Sequence, residues 1–195
     1  MPRPAAAASR PRHAGPAERP GAVAYGRDRR GRESRAGGWG WLVGDDGSAA
    51  WVAREAAREV MRRAEAGEPA GPLGEALLAA VKARDAGELT GRLHRFREPR
   101  RWAALAHVAF DAADTDPGAE ALITRAADGL ADLVGRVRRA LAIGGPVVLA
   151  GGLILNHPPL ERAVRQRLGR SAVRLEKPPV AGAVSLAERQ SGANQ

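Results

Sequence analysis

The apolar positions divide the chain into a short hairpin, a series of helices and an alternating C-terminal segment. Residues 22–25 form an apolar run that enters a polar turn at residues 28–31, and the chain returns through residues 33–36. Short runs bounded by glycine and polar turn residues predict the two strands of a β-hairpin. Over residues 49–67 apolar side chains recur every four residues opposite a charged face, which predicts an amphipathic helix that Ser48 can cap.

Four more helical patterns follow the first helix, separated by glycine and proline. Three of them cover about residues 71–86, 88–95 and 99–113. The fourth begins at Asp116, a capping residue followed by proline at the first helical position, and its apolar stripe continues to Leu141. These patterns predict a helical group inserted between the hairpin and the C-terminal segment.

The last third of the chain alternates between strand and helix patterns. Residues 146–152 read PVVLAGG, a short buried strand that ends in two glycines. A helix at residues 158–169, a strand at residues 171–177 and a closing helix at residues 179–190 follow. This order predicts a βαβ unit with parallel strands, and hence an α/β fold. Ligands are expected at the carboxyl ends of such strands.

Composition predicts a folded domain preceded by an unstructured extension. The chain has 195 residues, 44% of them hydrophobic, which is enough for one domain with a sizeable core or for two small ones. Residues 1–20 hold five prolines and no periodic apolar pattern, so we expect them to be disordered and residues 21–195 to fold. Cysteine, an apolar run of 18 residues and a secretory leader pattern are all missing from the sequence. We therefore expect a cytoplasmic protein without disulfides, thiolate metal sites or a membrane span.

The net charge of +9 is concentrated at the N-terminus. Residues 1–36 carry nine arginines and three acidic residues, whereas the remaining 159 residues are nearly balanced. Because the globular part shows so small a surplus, nucleic acid is not the expected partner. A basic arm that binds phosphate groups stays an alternative.

The stretch GGWGWLVGDDGS, residues 37–48, places unusual residue types just before the first helix. Its glycines allow backbone conformations that other residues avoid. Asp45 and Asp46 lie where helix N–H groups favour negative charge, so they either cap the helix or accept hydrogen bonds from sugar hydroxyls. Trp39 and Trp41 are likewise either core aromatic residues or part of a ligand site. The residues by themselves leave both alternatives open.

Four further groups of residues could carry chemistry, and each has a simpler explanation. Gly151 and Gly152, which follow the predicted strand, could admit a ligand or simply make a tight turn. Three histidines could act as an acid or base, namely His94, His107 and His157. None has a carboxylate partner at helical spacing that favours this role over ordinary placement. An acidic cluster, formed by Asp111, Asp114 and Asp116, could hold Mg²⁺. It lies where a helix needs a cap, and capping is the simpler explanation. A basic stretch with two aromatic residues could stack on nucleic acid, although a solvated loop is favoured. It comprises Arg95, Phe96, Arg97, Arg100, Arg101 and Trp102.

Residues 37–48 resemble the G-G-W-G-x-x-x-G-D-E-G-S signature of N-acetylglucosamine kinases and their relatives in the BadF/BadG/BcrA/BcrD ATPase family. That family belongs to the superfamily of sugar kinases, chaperones and actin. The similarity continues through WVAREA at residues 51–56, VVLAGGLILN at residues 147–156 and PVAGAVSLA at residues 179–187. It covers about residues 21–195 and implies an α/β fold, the C-terminal lobe of an actin-like, ribonuclease-H-like ATPase.

The resemblance implies ATP-dependent phosphorylation of N-acetylglucosamine or a related amino sugar, with ATP and Mg²⁺ as cofactors. Gly38, Trp39 and Gly40 would line the sugar site, and Asp45 would hold a sugar hydroxyl. The implied nucleotide-binding residues are Gly21, Gly151, Gly152 and Asn156. The resemblance implies neither a metal ligand nor a catalytic base within this chain.

The sequence departs from the family pattern in its phosphate-binding loops. The family's first loop, D-G-G-G-T, and its aspartate base belong to a first lobe that nothing in residues 1–20 resembles. The second loop would fall at residues 19–22, where Pro20 removes a hydroxyl and a backbone donor. We therefore expect the product of a truncated or frame-shifted kinase gene, with little kinase activity. A non-catalytic sugar-binding or regulatory module is the alternative, and an apolar face without its partner lobe would favour a homodimer.

Overall fold

An antiparallel hairpin opens the part of the chain that the structure describes, residues 21–176 of a computed structural model. Strand β1, Val23–Arg27, pairs with strand β2, Glu33–Gly37, as the sequence predicts. Asp28 holds the turn, because its Oδ1 accepts hydrogen bonds from the backbone N–H groups of Arg30 and Arg32 at 2.9 and 2.8 Å. The Oδ2 atom accepts a further bond from Nε of Arg32 at 2.6 Å.

Five helices follow the hairpin: α1 Ala49–Glu65, α2 Gly71–Val81, α3 Ala86–Leu93, α4 Pro99–Ala103 and α5 His107–Asp111. Helix α1 begins after Ser48, whose hydroxyl accepts a hydrogen bond from the N–H of Trp51 at 3.2 Å. Helix α2 is shorter than predicted because Lys82 turns into a left-handed conformation after Val81. Asp85 then caps α3.

The prediction of one continuous helix over residues 99–113 is wrong. The chain tightens into hydrogen bonds between residues three apart, such as the N–H of Leu105 to the carbonyl of Trp102 at 2.9 Å. This change of period turns both Leu105 and Ala106 into the core, where they are 8% and 2% exposed. Burial of these side chains outweighs the local preference for an unbroken helix.

Helix α6, Pro117–Leu141, is the longest element and the centre of the fold. Asp116 caps it as predicted, and its apolar stripe packs against the hairpin, α1 and α5. At its N-terminal end Asp116 also joins α6 to α1 through an ion pair with Arg63. The most deeply buried large side chains come from the helices, namely Val52, Leu73, Leu77, Leu89, Leu122, Leu160 and Val164.

The C-terminal segment contains the predicted parallel strand pair. Strand β3, Val147–Leu149, is followed by α7, Gly152–Asn156, α8, Pro158–Leu168, a single 3₁₀ turn at Gly169–Ser171, and β4, Ala172–Arg174. Strands β3 and β4 pair in parallel, with Val148 opposite Val173, and α8 packs against α6. The short helix α7 was not predicted from the sequence.

Two sequence predictions fall outside the described residues: the extension at residues 1–20 and the closing helix at residues 179–190. Among the helices between residues 21 and 176, none is long and apolar enough to cross a membrane.

Candidate functional site

The glycine-rich loop before α1 folds back on the hairpin through left-handed backbone conformations. Gly37, Gly38 and Gly40 have φ angles of 78°, 70° and 98°, which side chains with a Cβ rarely adopt. The N–H of Gly38 donates to the carbonyl of Ala22 at 2.8 Å. At Gly37 a Cβ would lie 2.5 Å from the same oxygen, so this close approach requires glycine. The sequence therefore brings the loop against the first residues of the hairpin.

Asp45 lies at the bottom of this loop in a conformation that is unusual for a residue other than glycine. Its φ angle is +60° and its side chain is buried, with the whole residue 5% exposed. Gly21 lies against it so closely that a Cβ there would be 2.8 Å from Oδ2. Within residues 21–176, the buried Oδ1 atom of Asp45 has no hydrogen-bond partner. Such an acceptor is costly to bury and is rare in folded proteins.

Burial raises the pKa of Asp45 above its ordinary value, because the charged form loses its hydration. The backbone N–H groups of Gly40, Ala22 and Gly38 oppose this shift, and so does the positive charge of Arg35. These donors face the carboxylate, yet none of them completes a hydrogen bond to Oδ1. The site is therefore a buried acceptor surrounded by partial positive charge.

The turn that follows Asp45 is fixed by tight packing on α6. Gly47 is buried with a φ angle of 81°, and a Cβ there would lie 2.6 Å from the carbonyl oxygen of Ala126. The N–H of Ser48 donates to the carbonyl of Asp45 at 2.9 Å. Ser48, not Asp45, supplies the side-chain cap of α1. Asp46 is exposed, so neither aspartate of the turn makes the cap.

The two tryptophans of the loop have different environments. Trp39 is 80% exposed, next to Leu42 and Val43, which are 71% and 82% exposed. The ring of Trp41 instead packs beside that of Trp102 on α4, with centroids 6.3 Å apart. The sequence left core packing and a ligand site open for both tryptophans. Trp41 is partly a packing residue, and Trp39 is not a core residue.

A second candidate site lies at the carboxyl end of β3. Gly151 precedes α7 with a φ angle of 105°, and the position of its missing Cβ faces open space. Gly152 and Asn156 are exposed and close to each other, because a Cβ on Gly152 would lie 3.7 Å from Nδ2 of Asn156. A planar ligand could approach this backbone without meeting a side chain.

Residues 20–187 match the model of the BadF/BadG/BcrA/BcrD ATPase family. The chain belongs to this family. Among curated protein sequences, none matches it.

A solved structure supports the same assignment. The chain is similar to a protein from Chromobacterium violaceum that is proposed to be an N-acetylglucosamine kinase, with 29% sequence identity and a TM-score of 0.66. The match covers 84% of this chain but 55% of that protein, so this chain spans about half of its length. The expected mixed α/β, actin-like ATPase fold is confirmed.

The structure groups the residues expected from the family signature into two clusters. Gly38, Gly40 and Asp45 converge, and Gly21, which the resemblance places on the nucleotide side, lies with them. Trp39 belongs to the same loop but points into solvent. The other cluster comprises Gly151, Gly152 and Asn156. The sequence-based assignment of these residues to a sugar site and a nucleotide site stays a prediction.

The acidic cluster near α6 has a structural role. Asp116 is 2% exposed and binds both Nη atoms of Arg63, at 2.7 and 2.8 Å. This guanidinium holds the pKa of Asp116 well below its ordinary value. Over residues 21–176 no group of three or more His, Asp or Glu side chains could hold a metal ion. The prediction that Asp116 caps α6 is confirmed.

The remaining candidates are also occupied by packing contacts. The ring of His157 stacks on Phe110 with centroids 3.9 Å apart, and burial lowers the pKa of His157. Phe96 packs edge-on against Trp102, and the guanidinium of Arg101 lies 4.3 Å above its ring centre. A shallow groove opens beside Glu59, Arg62 and Asp116, but these residues lie toward the opposite end of α1 from Asp45, and α1 is about 25 Å long. Of these features, only Trp102 contacts the glycine-rich loop, through Trp41.

Sequence reasoning missed two residues that hold the loop. Arg54 donates from Nη1 to the carbonyl of Trp41 at 2.7 Å, and Trp102 packs on the ring of Trp41. Arg54 lies within the WVAREA segment that resembles the family, which was the one available signal. Trp102 is about 60 positions from Trp41 along the chain, so no local pattern connects them.

Proposed function

We propose that residues 21–195 form the C-terminal lobe of an amino-sugar kinase, and that this lobe binds N-acetylglucosamine or a related sugar through Asp45. Residues 1–20 form an extension outside that lobe. The observation that carries the proposal is the buried, unpaired Oδ1 of Asp45 beside a glycine-rich loop. An ionised carboxylate only accepts hydrogen bonds, whereas a sugar hydroxyl donates one. A sugar hydroxyl would therefore complete the coordination that the described residues leave open, once the loop that encloses Oδ1 shifts to admit it.

The glycine-rich loop suits a sugar for a second reason. Gly40 has no described atom within 4 Å of the position that a Cβ would occupy. A sugar ring could therefore approach the backbone at Gly40 while one of its hydroxyls reaches Asp45. The partial positive charge from Gly38 and Gly40 keeps the carboxylate a strong acceptor. Selectivity among amino sugars would come from the loop backbone and from Trp39.

The second cluster fits the adenosine part of ATP. Gly151 faces open space at the end of β3, and Asn156 offers an exposed amide that can both donate and accept. ATP would supply the phosphoryl group, and Mg²⁺ would bind chiefly through its phosphates. We assign this role to Gly151, Gly152 and Asn156. Gly21, beside Asp45, would lie nearer the transferred phosphate than the adenosine.

Sugar binding is tested by isothermal titration of the full chain with N-acetylglucosamine. Replacing Asp45 by Asn removes the charge but keeps the shape, and we expect the dissociation constant to rise about 10- to 100-fold. This corresponds to the loss of one hydrogen bond to a charged group. Asp46→Asn is the matched control, because the neighbouring carboxylate is exposed and should leave the affinity unchanged. Absence of binding to the unsubstituted chain at millimolar sugar would contradict the proposal.

A second assay separates the kinase from a module that only binds sugar. Incubation with ATP, Mg²⁺ and N-acetylglucosamine, followed by detection of sugar phosphate, reports phosphoryl transfer directly. We assign no catalytic base to the described residues and expect turnover far below that of a complete two-lobed kinase. Sugar binding that Asp45→Asn weakens, without any sugar phosphate, would favour the binding module over the kinase.

A further inference from the structure

One side chain outside the family signature holds the glycine-rich loop from the side of helix α1. Arg54 projects from the second turn of α1, and its side chain is 21% exposed. Its Nη1 donates to the carbonyl of Trp41 at 2.7 Å and makes a longer contact of 3.5 Å with the carbonyl of Leu42. These two carbonyls lie midway between Gly40 and Asp45. Arg54 therefore binds the backbone of the segment that connects the two parts of the candidate sugar site.

The contact is specific to Arg54 although other arginines are near. Glu55, the adjacent acid, accepts its short hydrogen bond from Arg58 at 2.6 Å and lies 3.6 Å from Arg125. The Nε of Arg54 is 3.7 Å from Glu55, and among the described residues this buried atom has no hydrogen-bond partner. Burying part of a guanidinium in this way is unfavourable. The cost is offset at the other end of the group, where it binds the loop carbonyls.

Backbone hydrogen bonds from Gly44 to Gly40 and from Gly38 to Ala22 also shape the loop, but few other side chains hold it. Trp41 packs on Trp102 of α4, which lies against α1. Arg35 donates to the carbonyl of Gly38 at 3.2 Å from an exposed position. By contrast, the side chains of Trp39, Leu42 and Val43 are mostly exposed and give the loop little packing. With several glycines in left-handed conformations, such a segment would be flexible unless its backbone were held.

We propose that Arg54 is a positioning residue that fixes the peptide backbone at residues 41 and 42 and thereby sets the geometry of Gly38, Gly40 and Asp45 for sugar binding. The inference rests on the proposed sugar-binding function. A flexible loop would have to be ordered when the sugar binds, so loss of the contact weakens affinity without removing any sugar contact. Both contacts come from Nη1 alone, so a lysine ammonium could replace the shorter one as a point charge without the rest of the guanidinium.

The test combines Arg54→Met, which keeps an apolar stem, with Arg54→Lys and the control Arg58→Met. Arg58 lies one turn further along α1, binds Glu55 and makes no described contact with the loop. In hydrogen–deuterium exchange, peptides covering residues 37–48 should exchange at least several-fold faster in Arg54→Met than in the unsubstituted chain. The sugar dissociation constant should rise about tenfold, with partial recovery in Arg54→Lys and no change in Arg58→Met.

The results distinguish the inference from the function on which it rests. If loop exchange is unchanged in Arg54→Met, or if it rises while sugar affinity stays the same, the positioning role is wrong. If Arg58→Met has the same effect as Arg54→Met, the effect belongs to α1 in general and the inference is also wrong. If the unsubstituted chain binds no sugar, the proposed function fails, and the exchange rates still decide whether Arg54 orders the loop.

Discussion

Two buried aspartates precede the two longest helices within residues 21–176, and their surroundings are opposite. Asp116 precedes α6 and accepts hydrogen bonds from the guanidinium of Arg63 and from the backbone N–H groups of Leu73 and Gly118. Asp45 precedes α1 by a few residues, and no described group completes a bond to its Oδ1. The pKa of Asp116 is lowered and that of Asp45 is raised. One carboxylate is satisfied by the fold, and the other keeps a buried oxygen without a described hydrogen-bond partner.

The difference shows how a capping position can be separated from a binding position. At α6 a single aspartate both caps the helix and binds the arginine that joins α6 to α1. At α1 the cap is supplied by Ser48, so the carboxylate of Asp45 is not needed there. Its left-handed backbone turns the residue toward the hairpin. Both positions have the same residue type in the sequence, and only the neighbours decide the role.

The largest expected effect comes from breaking the satisfied carboxylate. Asp116→Ala should lower the free energy of unfolding by about 3 kcal/mol, because it leaves Arg63 partly buried without this partner. The two side chains are 1% and 12% exposed. Denaturant unfolding followed by circular dichroism measures the change, with the exposed Asp114→Ala as control. A loss below 1 kcal/mol would mean that the ion pair with Arg63 is not important for stability.

Neutralising the unsatisfied carboxylate should have the opposite sign. Asp45→Asn should raise the free energy of unfolding by about 1 kcal/mol, because it removes a poorly hydrated buried charge while keeping the shape of the side chain. Asparagine also tolerates the left-handed conformation.

The pH dependence of this effect follows from the raised pKa. The folded protein binds the proton of Asp45 more tightly than the unfolded chain, so stability is lost as pH rises through 3.8 and the raised folded-state value. Thermal unfolding from pH 4 to pH 8 should show this loss in the unsubstituted chain and a smaller slope in Asp45→Asn. Identical slopes would indicate that Oδ1 has a partner in solution.

The smallest effect tests whether the two roles are separate at α1. Ser48→Ala removes the cap and should lower the free energy of unfolding by about 1 kcal/mol. Ser34→Ala, in strand β2, serves as the control in the same denaturant series. Should Asp45→Asn destabilise the protein as much as Ser48→Ala does, Asp45 would contribute to the cap and the comparison with Asp116 would not hold.

Much of the fold could be predicted from local signals. The polar turn between two apolar runs predicted the hairpin, and Asp116 followed by Pro117 predicted the start of α6. The parallel pairing of β3 and β4 followed from the order of strands and helices. These features depend on neighbours in the sequence, and therefore pattern and capping chemistry suffice to find them.

The missed features depend on contacts between distant residues. The break between α4 and α5 arises because Leu105 and Ala106 turn into the core, which a helical period does not show. At the candidate site, the residues alone left Asp45 as either a cap or a sugar ligand, and the family resemblance favoured the ligand. The structure gives the cap to the hydroxyl of Ser48 and leaves the buried Oδ1 of Asp45 without a described partner.

The unpaired carboxylate also has a consequence for laboratory evolution of this protein. A library selected only for survival at high temperature would gain from any change that removes the charge at position 45, because such a change relieves the buried oxygen. Asparagine would be favoured among the replacements, since the backbone there has a φ angle of +60°. We expect heat-resistant clones to accumulate this substitution and to lose sugar recognition at the same step, unless selection for binding is applied in parallel.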